Sequence, residues 1–400
     1  MDTRLGGFGM KKKSWLVVLG IPGLLLIIGL GLWGSQQFNR QTQRAPKMAR
    51  INSTRVVPKK KKPAPIKQPV QKPLPGQLTE AQAMSKIDAL IKSHNIMGTL
   101  LLTTNGPAGV TTKTYGYADL SKNTRNTATE VYPLASLQKA VTATVIQYLI
   151  NKGQLSMTTP LSKFYPQVPY ANQITIRELL DHRSGIRMKE TTPKSILPTE
   201  KAQIDFTLKH VLSTGNHAYF YTNANFTILA GVIRKVSHKS YMTMLQNVVI
   251  RPLGLKHTFG YDEIPGNIVN PLAYRLTNGL SQGTILSKPL QSSELGCGSL
   301  YMSVGDYYKF MYQLQSGELL GQAGLAELTN NFAFQYSGGV YYQPNGHIRV
   351  GGNDNEFHTY YMGTRDGKVA LVLFENQGIF STDNQVAYEI QDILMQTEKF

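Results

Sequence analysis

Cysteine is nearly missing from this chain of 400 residues. Cys297 stands alone, which excludes an internal disulfide, a CxxC redox pair and every multi-cysteine zinc pattern. The eight histidines are scattered and form no HExxH, so neither a metal nor a cofactor is expected. Acid is missing from one end: residues 1–76 carry 15 Lys and Arg against Asp2 alone. Taken from the totals of 42 basic and 24 acidic residues, these leave 27 against 23 in 77–400, a net of only +4. The formal +18 therefore belongs to the tail, and no nucleic-acid partner is expected of the remainder.

That tail divides in three. Residues 1–14 hold Arg4 and Lys11 to Lys13. Residues 15–34 follow as an expected transmembrane anchor, because 15–33 are 19 residues without a charge, bracketed by Trp15 and Trp33. At about 1.5 Å per residue such a helix spans close to a hydrocarbon core of roughly 30 Å. A cleaved signal peptide is the alternative, but no convincing small-x-small site follows. The lysines abutting the apolar run favour an inside N-terminus. Residues 35–76 form a basic linker with seven prolines and no acid. Self-repelling proline-rich chain stays extended, near 3.1 Å per residue, so it reaches on the order of 130 Å. It serves as a plain spacer or also engages anionic polymer near the membrane.

A folded domain is expected over 77–400. Residues from Thr79 onward read as a capped helix, and Met97 to Thr104 with Thr111 to Tyr117 as a strand pair. Most of the middle reads as helical. Period-two strands return late, at Phe357 to Gly363 and Lys368 to Glu375 around the Arg365-Asp-Gly367 turn, before a closing helix over Asp383 to Gln396. Strands at both ends with helices between them predict one α+β domain carrying an inserted helical subdomain, with a site in the cleft between them.

The chemistry centres on Tyr132-Pro-Leu-Ala-Ser136-Leu-Gln-Lys139 and the apolar helical run after it. Spacing by three sets the Lys139 amine beside the Ser136 hydroxyl. A partly desolvated lysine has its pKa pushed down and accepts the serine proton, which makes Ser136 a nucleophile. Ser136 is the only serine with a lysine three residues on. The plain alternative is an N-cap serine followed by a solvated lysine. A second proton carrier is sought in Tyr-x-Asn, present as Tyr170-Ala-Asn172 and Tyr221-Thr-Asn223. Tyr170 lies in a proline-rich turn, whereas Tyr221 and Asn223 feed directly into an apolar helix, which favours the second pair.

Several stretches together carry a family resemblance. They are Pro133-Leu-Ala-Ser136-Leu-Gln-Lys139, Ile174-Thr-Ile-Arg-Glu-Leu-Leu-Asp-His-Arg-Ser-Gly185, Tyr221-Thr-Asn223, Arg251-Pro-Leu-Gly-Leu255 and Gly296-Cys-Gly-Ser-Leu-Tyr-Met-Ser303. The domain resembles the serine β-lactamase and penicillin-binding-protein-like hydrolases, in their class C-like branch. The resemblance implies a β-lactamase-like antiparallel sheet flanked by helices. It makes Ser136 the nucleophile, Lys139 the base, Tyr221 the proton relay and Asn223 the amide that orients substrate and lysine. The family's third motif, usually Lys-Thr-Gly or His-x-Gly, departs here. Its best match is Arg349-Val350-Gly351-Gly352, with Arg349 keeping a charge, Val350 lacking a hydroxyl and Gly352 supplying a second oxyanion N–H.

Loss of that hydroxyl weakens the case for a substrate bearing a free carboxylate. A D-alanyl ester of lipoteichoic acid has none and sits on a polyanion, which suits a basic stalk. The expected function is therefore a membrane-anchored serine hydrolase, facing outward on the cell-wall side, that releases D-alanine from such esters. The alternative is a D-alanyl-D-alanine carboxypeptidase acting on peptidoglycan stem peptides. A third reading is a non-catalytic wall-binding member, against which the intact Ser136, Lys139, Tyr221 and Asn223 argue.

Overall fold

The computed structural model of this chain describes residues 77–277, 279–280, 282–333 and 335–397. The expected anchor and linker lie outside these residues. Among the described residues, no helix is long and apolar enough to cross a membrane.

Helix α1 (Glu80–Ser93) starts where the sequence places it, with Thr79 and Gln82 closing a capping box. Strands β1 (Met97–Thr103) and β2 (Thr111–Tyr115) form the expected antiparallel pair. Helix α2 (Gln138–Asn151) follows, and then a helical region containing α3 (Glu200–His210) and α4 (Asn223–Ser237). The chain returns through α5 (Val304–Gln315) to five strands: β3 (Tyr336–Ser337), β4 (Val340–Tyr342), β5 (His347–Asp354), β6 (Phe357–Thr364) and β7 (Ala370–Gly378). Helix α6 (Phe380–Met395) closes the domain.

Within the main sheet the order β2-β1-β7-β6-β5-β4-β3 is antiparallel throughout, and a short strand at Tyr274–Thr277 joins the end of β7 in parallel. The last long strand thus lies between the first strand and its own hairpin partner. The two ends of the domain also meet, since the Leu78 N–H donates to the Gln396 carbonyl at 2.8 Å. Side chains alternate across the pleat, so both faces are buried. Leu100, Leu102, Leu371 and Leu373 pack against Ile87, Val386 and Ile390 of the terminal helices. Leu101, Val372 and Phe374 join the larger core shared with α2, α4 and α5. This is the expected α+β architecture with its helical insert. One expectation is corrected. Strands do not resume at Phe357: those of the main sheet recur already at Tyr274–Thr277 and from Tyr336 on, and Arg349 to Gly352 lie inside β5.

Candidate active site

Helix α2 is buried on nearly every side, which is why its sequence lacks a polar face. Val141, Val145, Ile146 and Leu149 are at most 1% exposed. Each contributes about 1.5–3 kcal/mol by leaving water. Together they outweigh the several kcal/mol that burying one charged lysine costs. Lys139 is accordingly carried into the core at 0% exposure. Before the helix, Ala135–Leu137 form a 3-10 turn, with Ala135 at φ 46°, a strained setting for a non-glycine residue. Ser136 sits on that turn.

The Lys139 Nζ donates to Ser136 Oγ at 2.9 Å and reaches the Cys297 carbonyl at 3.4 Å. Tyr221 Oη donates to the same Ser136 Oγ at 2.8 Å. The three residues singled out from sequence therefore meet at one oxygen. Tyr170 does not join them; it is 48% exposed and packs at Gly215. The expected direction of the lysine shift is corrected, however. Burial alone lowers the Lys139 pKa, but the Tyr221, Cys297 and Glu294 groups around it together raise it further, so its net shift is upward. That upward shift favours the ammonium form of Lys139.

Tyr221 is held from behind by His182, whose ring centroid lies 4.3 Å away. His182 accepts from the Thr222 N–H at Nδ1 (3.4 Å), while its carbonyl accepts from the Phe220 N–H (2.8 Å). Asn225 Nδ2 also meets Nδ1, and Tyr336 Oη meets Nε2. Burial, and then the Lys139 charge, keep this imidazole neutral. In the sequence His182 lies within the Ile174 to Gly185 stretch, and nothing local marks it as part of the site. Asn223 lines the cleft, but its amide donates to Glu190 Oε1 at 2.7 Å.

The third motif needs a shift of register. The His347 carbonyl accepts from the Gln343 N–H on the β4 side, and Thr364 bonds Val369 on the β7 side. With the β5–β6 pairing, this turns the N–H groups of 348, 350, 352 and 354 toward β6. Those of 349, 351 and 353 face the opposite edge. The Gly352 N–H is thus turned into the ladder opposite Thr359, and the edge donor is Asn353. Gly352 is glycine for another reason. A Cβ there would overlap Thr359 Oγ1 and crowd the Leu134 carbonyl and Ala135, just before the serine. The motif therefore reads Val350-Gly351-Gly352, one residue later than expected. In a strand, such a slip exchanges the two faces. Val350 is buried in the core, and Gly351 takes the hydroxyl position. Arg349 lies 4.1 Å over the Tyr341 ring, outside the residues lining the cleft.

That cleft, about 370 Å³, is lined by Ser136, Tyr221, Asn223, Glu190, Glu294 and Asp354 among others. The three carboxylates come from segments far apart in sequence, and no motif reading found them.

A family model described as Beta-lactamase matches residues 83–394. A putative penicillin-binding protein, PbpX, of Bacillus subtilis is 27% identical over 332 residues, covering 83% of each chain. A teichoic acid D-alanine hydrolase of Staphylococcus aureus is 26% identical over 322 residues, covering 79% of each. Among solved structures, FmtA from Staphylococcus aureus superposes with a TM-score of 0.69 at 25% identity, over 81% of this chain and 90% of that one. D-amino acid amidase from Ochrobactrum anthropi SV3 gives 0.68 at 21% identity, over 78% and 98%, a likeness of fold.

Proposed function

We propose, from the premise that this chain belongs to the beta-lactamase family of serine hydrolases, that it releases D-alanine from D-alanyl esters of a teichoic-acid-type polymer. The observation that carries the reading is the third motif. Val350 and Gly351 offer neither the cation nor the hydroxyl that would meet a substrate carboxylate, while Ser136, Lys139 and Tyr221 meet at one oxygen. A relative named teichoic acid D-alanine hydrolase supports the same substrate class.

In the reactive state Tyr221 has yielded its own proton to solvent and stands as a phenolate beside the Lys139 ammonium; Ser136 Oγ attacks the ester carbonyl carbon as its proton passes to that phenolate oxygen. The Lys139 ammonium offsets negative charge on the two oxygens during the transfer. The oxyanion faces the N–H groups of Ser136 and Asn353. Collapse expels the alkoxide of the polymer, which takes the proton from Tyr221, and D-alanine remains as an ester on Ser136. Water repeats the sequence, freeing D-alanine and restoring the hydroxyl. Arg349 has no carboxylate within ion-pair distance among the described residues, and its guanidinium suits a polymer phosphate at the rim.

The test is release of free D-alanine by the full chain from D-alanylated lipoteichoic acid and from stem pentapeptide at equal concentration. Faster release from the polymer is expected. Faster release from the pentapeptide replaces the reading with a carboxypeptidase.

The apolar run 15–33 and the basic stalk support an outward-facing, membrane-anchored enzyme. External protease should then cut within 40–76 and shed the folded domain from intact cells. A domain protected until lysis would refute this orientation.

A further inference from the structure

The carboxylates beside Ser136 have no function in the acyl-transfer steps. Glu190, Glu294 and Asp354 line the same cleft as the nucleophile. Asp354 is only 6% exposed, and apart from the Glu294 carboxyl its Oδ2 has no hydrogen-bond partner. Glu294 and Asp354 hydrogen-bond each other, which requires one of them to hold a proton, while Asn223 Oδ1 is buried and unpartnered. Among the described residues, none of the three carboxylates lies in an ion pair. Lys139, the cation whose field reaches Glu294, is occupied by Ser136 and the Cys297 carbonyl. Like charges so confined are costly unless a proton or a cation joins them. Burial, and then Asp354, hold the Glu294 carboxyl well above its usual range, and Asp354 is pushed up to about 7. The carboxylates do not converge as a metal cage, since no described group of His, Cys, Asp and Glu has that arrangement.

We propose that Glu294 and Asp354, with Glu190 at the opening and Asn223 between, form an ammonium subsite that selects acyl groups bearing a free α-amine. The inference rests on the acyl-hydrolase reading above and names what that site recognises. In a D-alanyl ester the ammonium is attached to the carbon next to the reacting carbonyl. Once Ser136 is in attacking distance, that ammonium must lie against the cleft wall. The ammonium replaces the proton these two carboxyls share, which leaves to solvent, and their oxygens accept its protons as charge-assisted hydrogen bonds. A stem peptide offers the opposite pattern: its penultimate α-nitrogen is a neutral amide, and its terminal carboxylate meets like charge. The cleft thus rewards one substrate class and repels the other.

The full chain is given D-alanine methyl ester, N-acetyl-D-alanine methyl ester and D-lactate methyl ester. Wild type should prefer the free amine in kcat/KM by at least about 100-fold over either neutral analogue. The double variant Glu294→Gln, Asp354→Asn should reduce that preference to less than about 5-fold. A wild type that hydrolyses the neutral esters within about 3-fold of the amine overturns the proposal, as does a double variant that keeps the preference. Each variant is first checked for Ser136 labelling by a neutral fluorophosphonate. If the double variant does not label, the exposed Glu190→Gln takes its place and should lower the preference at least about 3-fold; an unchanged preference there overturns the proposal. Binding is followed separately in Ser136→Ala by calorimetry with the same esters. No turnover of any ester by wild type strikes the esterase reading, whereas equal binding of amine and neutral esters strikes the subsite.

Discussion

Ser136→Ala is expected to lower hydrolysis by at least about 10⁴-fold and to remove all phosphonate labelling, with the melting temperature little changed. The size follows from the geometry: among the described residues, the only hydroxyl contacted by both Lys139 Nζ and Tyr221 Oη belongs to Ser136, so no neighbouring group inherits its part. Tyr221→Phe keeps the ring on His182 but deletes the oxygen that exchanges the proton, and should cost about 10²-fold or more. Lys139→Met keeps most of the buried volume and deletes only the charge. It should fall in the same range, through loss of the ammonium rather than of a base. Labelling at another residue after Ser136→Ala, or full activity of Tyr221→Phe, would remove the assignment.

A second large effect is expected away from the chemistry. Gly339, in the turn between β3 and β4, has φ 89°, and a Cβ there would overlap the Ala140 nitrogen and the Lys139 carbonyl carbon. Gly339→Ala cannot be absorbed by a side chain moving aside, because the obstacle is helix backbone. Strain and displacement together should cost roughly 3–5 kcal/mol, read as a fall in melting temperature of about 5–10 °C. Activity should fall further than stability, since the atoms displaced carry Lys139. Gly346→Ala is the control. Its φ is 84°, but nothing lies within 4 Å, so only the backbone term of about 1–2 kcal/mol applies. Equal losses at the two positions would show that contact with α2 is unimportant.

What could be read from the sequence follows from how local each signal is. The capping box at Thr79, the apolar run after Ser136 and the turn at Asp366 are encoded within a few residues, and each appears in place. Choosing Tyr221 over Tyr170 needed only the helix that follows it. Strands β3 to β5 escaped because Gly338, Gly339, Gly346, Gly351 and Gly352 interrupt any period-two pattern, and their order comes from ladder bonds to β6. The third motif slipped by one residue for the same reason: facing is fixed by pairing, not by composition. The upward Lys139 shift depends on Tyr221, Cys297 and Glu294, which lie at least 82 positions away and become neighbours only in the fold. Glu190, Glu294 and Asp354 illustrate the limit, since nothing in their local sequences marks them as a group.

The position of β7 between β1 and β6 also sets a timetable. During synthesis, β1 exists long before its partner, because Leu100 pairs with Leu373 across more than two-thirds of the chain. Until residues 370–378 are available, the sheet has no centre, and β1 and β6 each present an open edge. Helices of the insert can condense earlier, but closing a loop of this length before gaining its contacts makes registration of the sheet slow. A ribosome stalled, or a chain clipped, between Thr364 and Ala370 therefore leaves a product with two sticky edges rather than a slightly shortened enzyme. Quality-control proteases should clear such fragments, while tolerating losses beyond Gln396 far better.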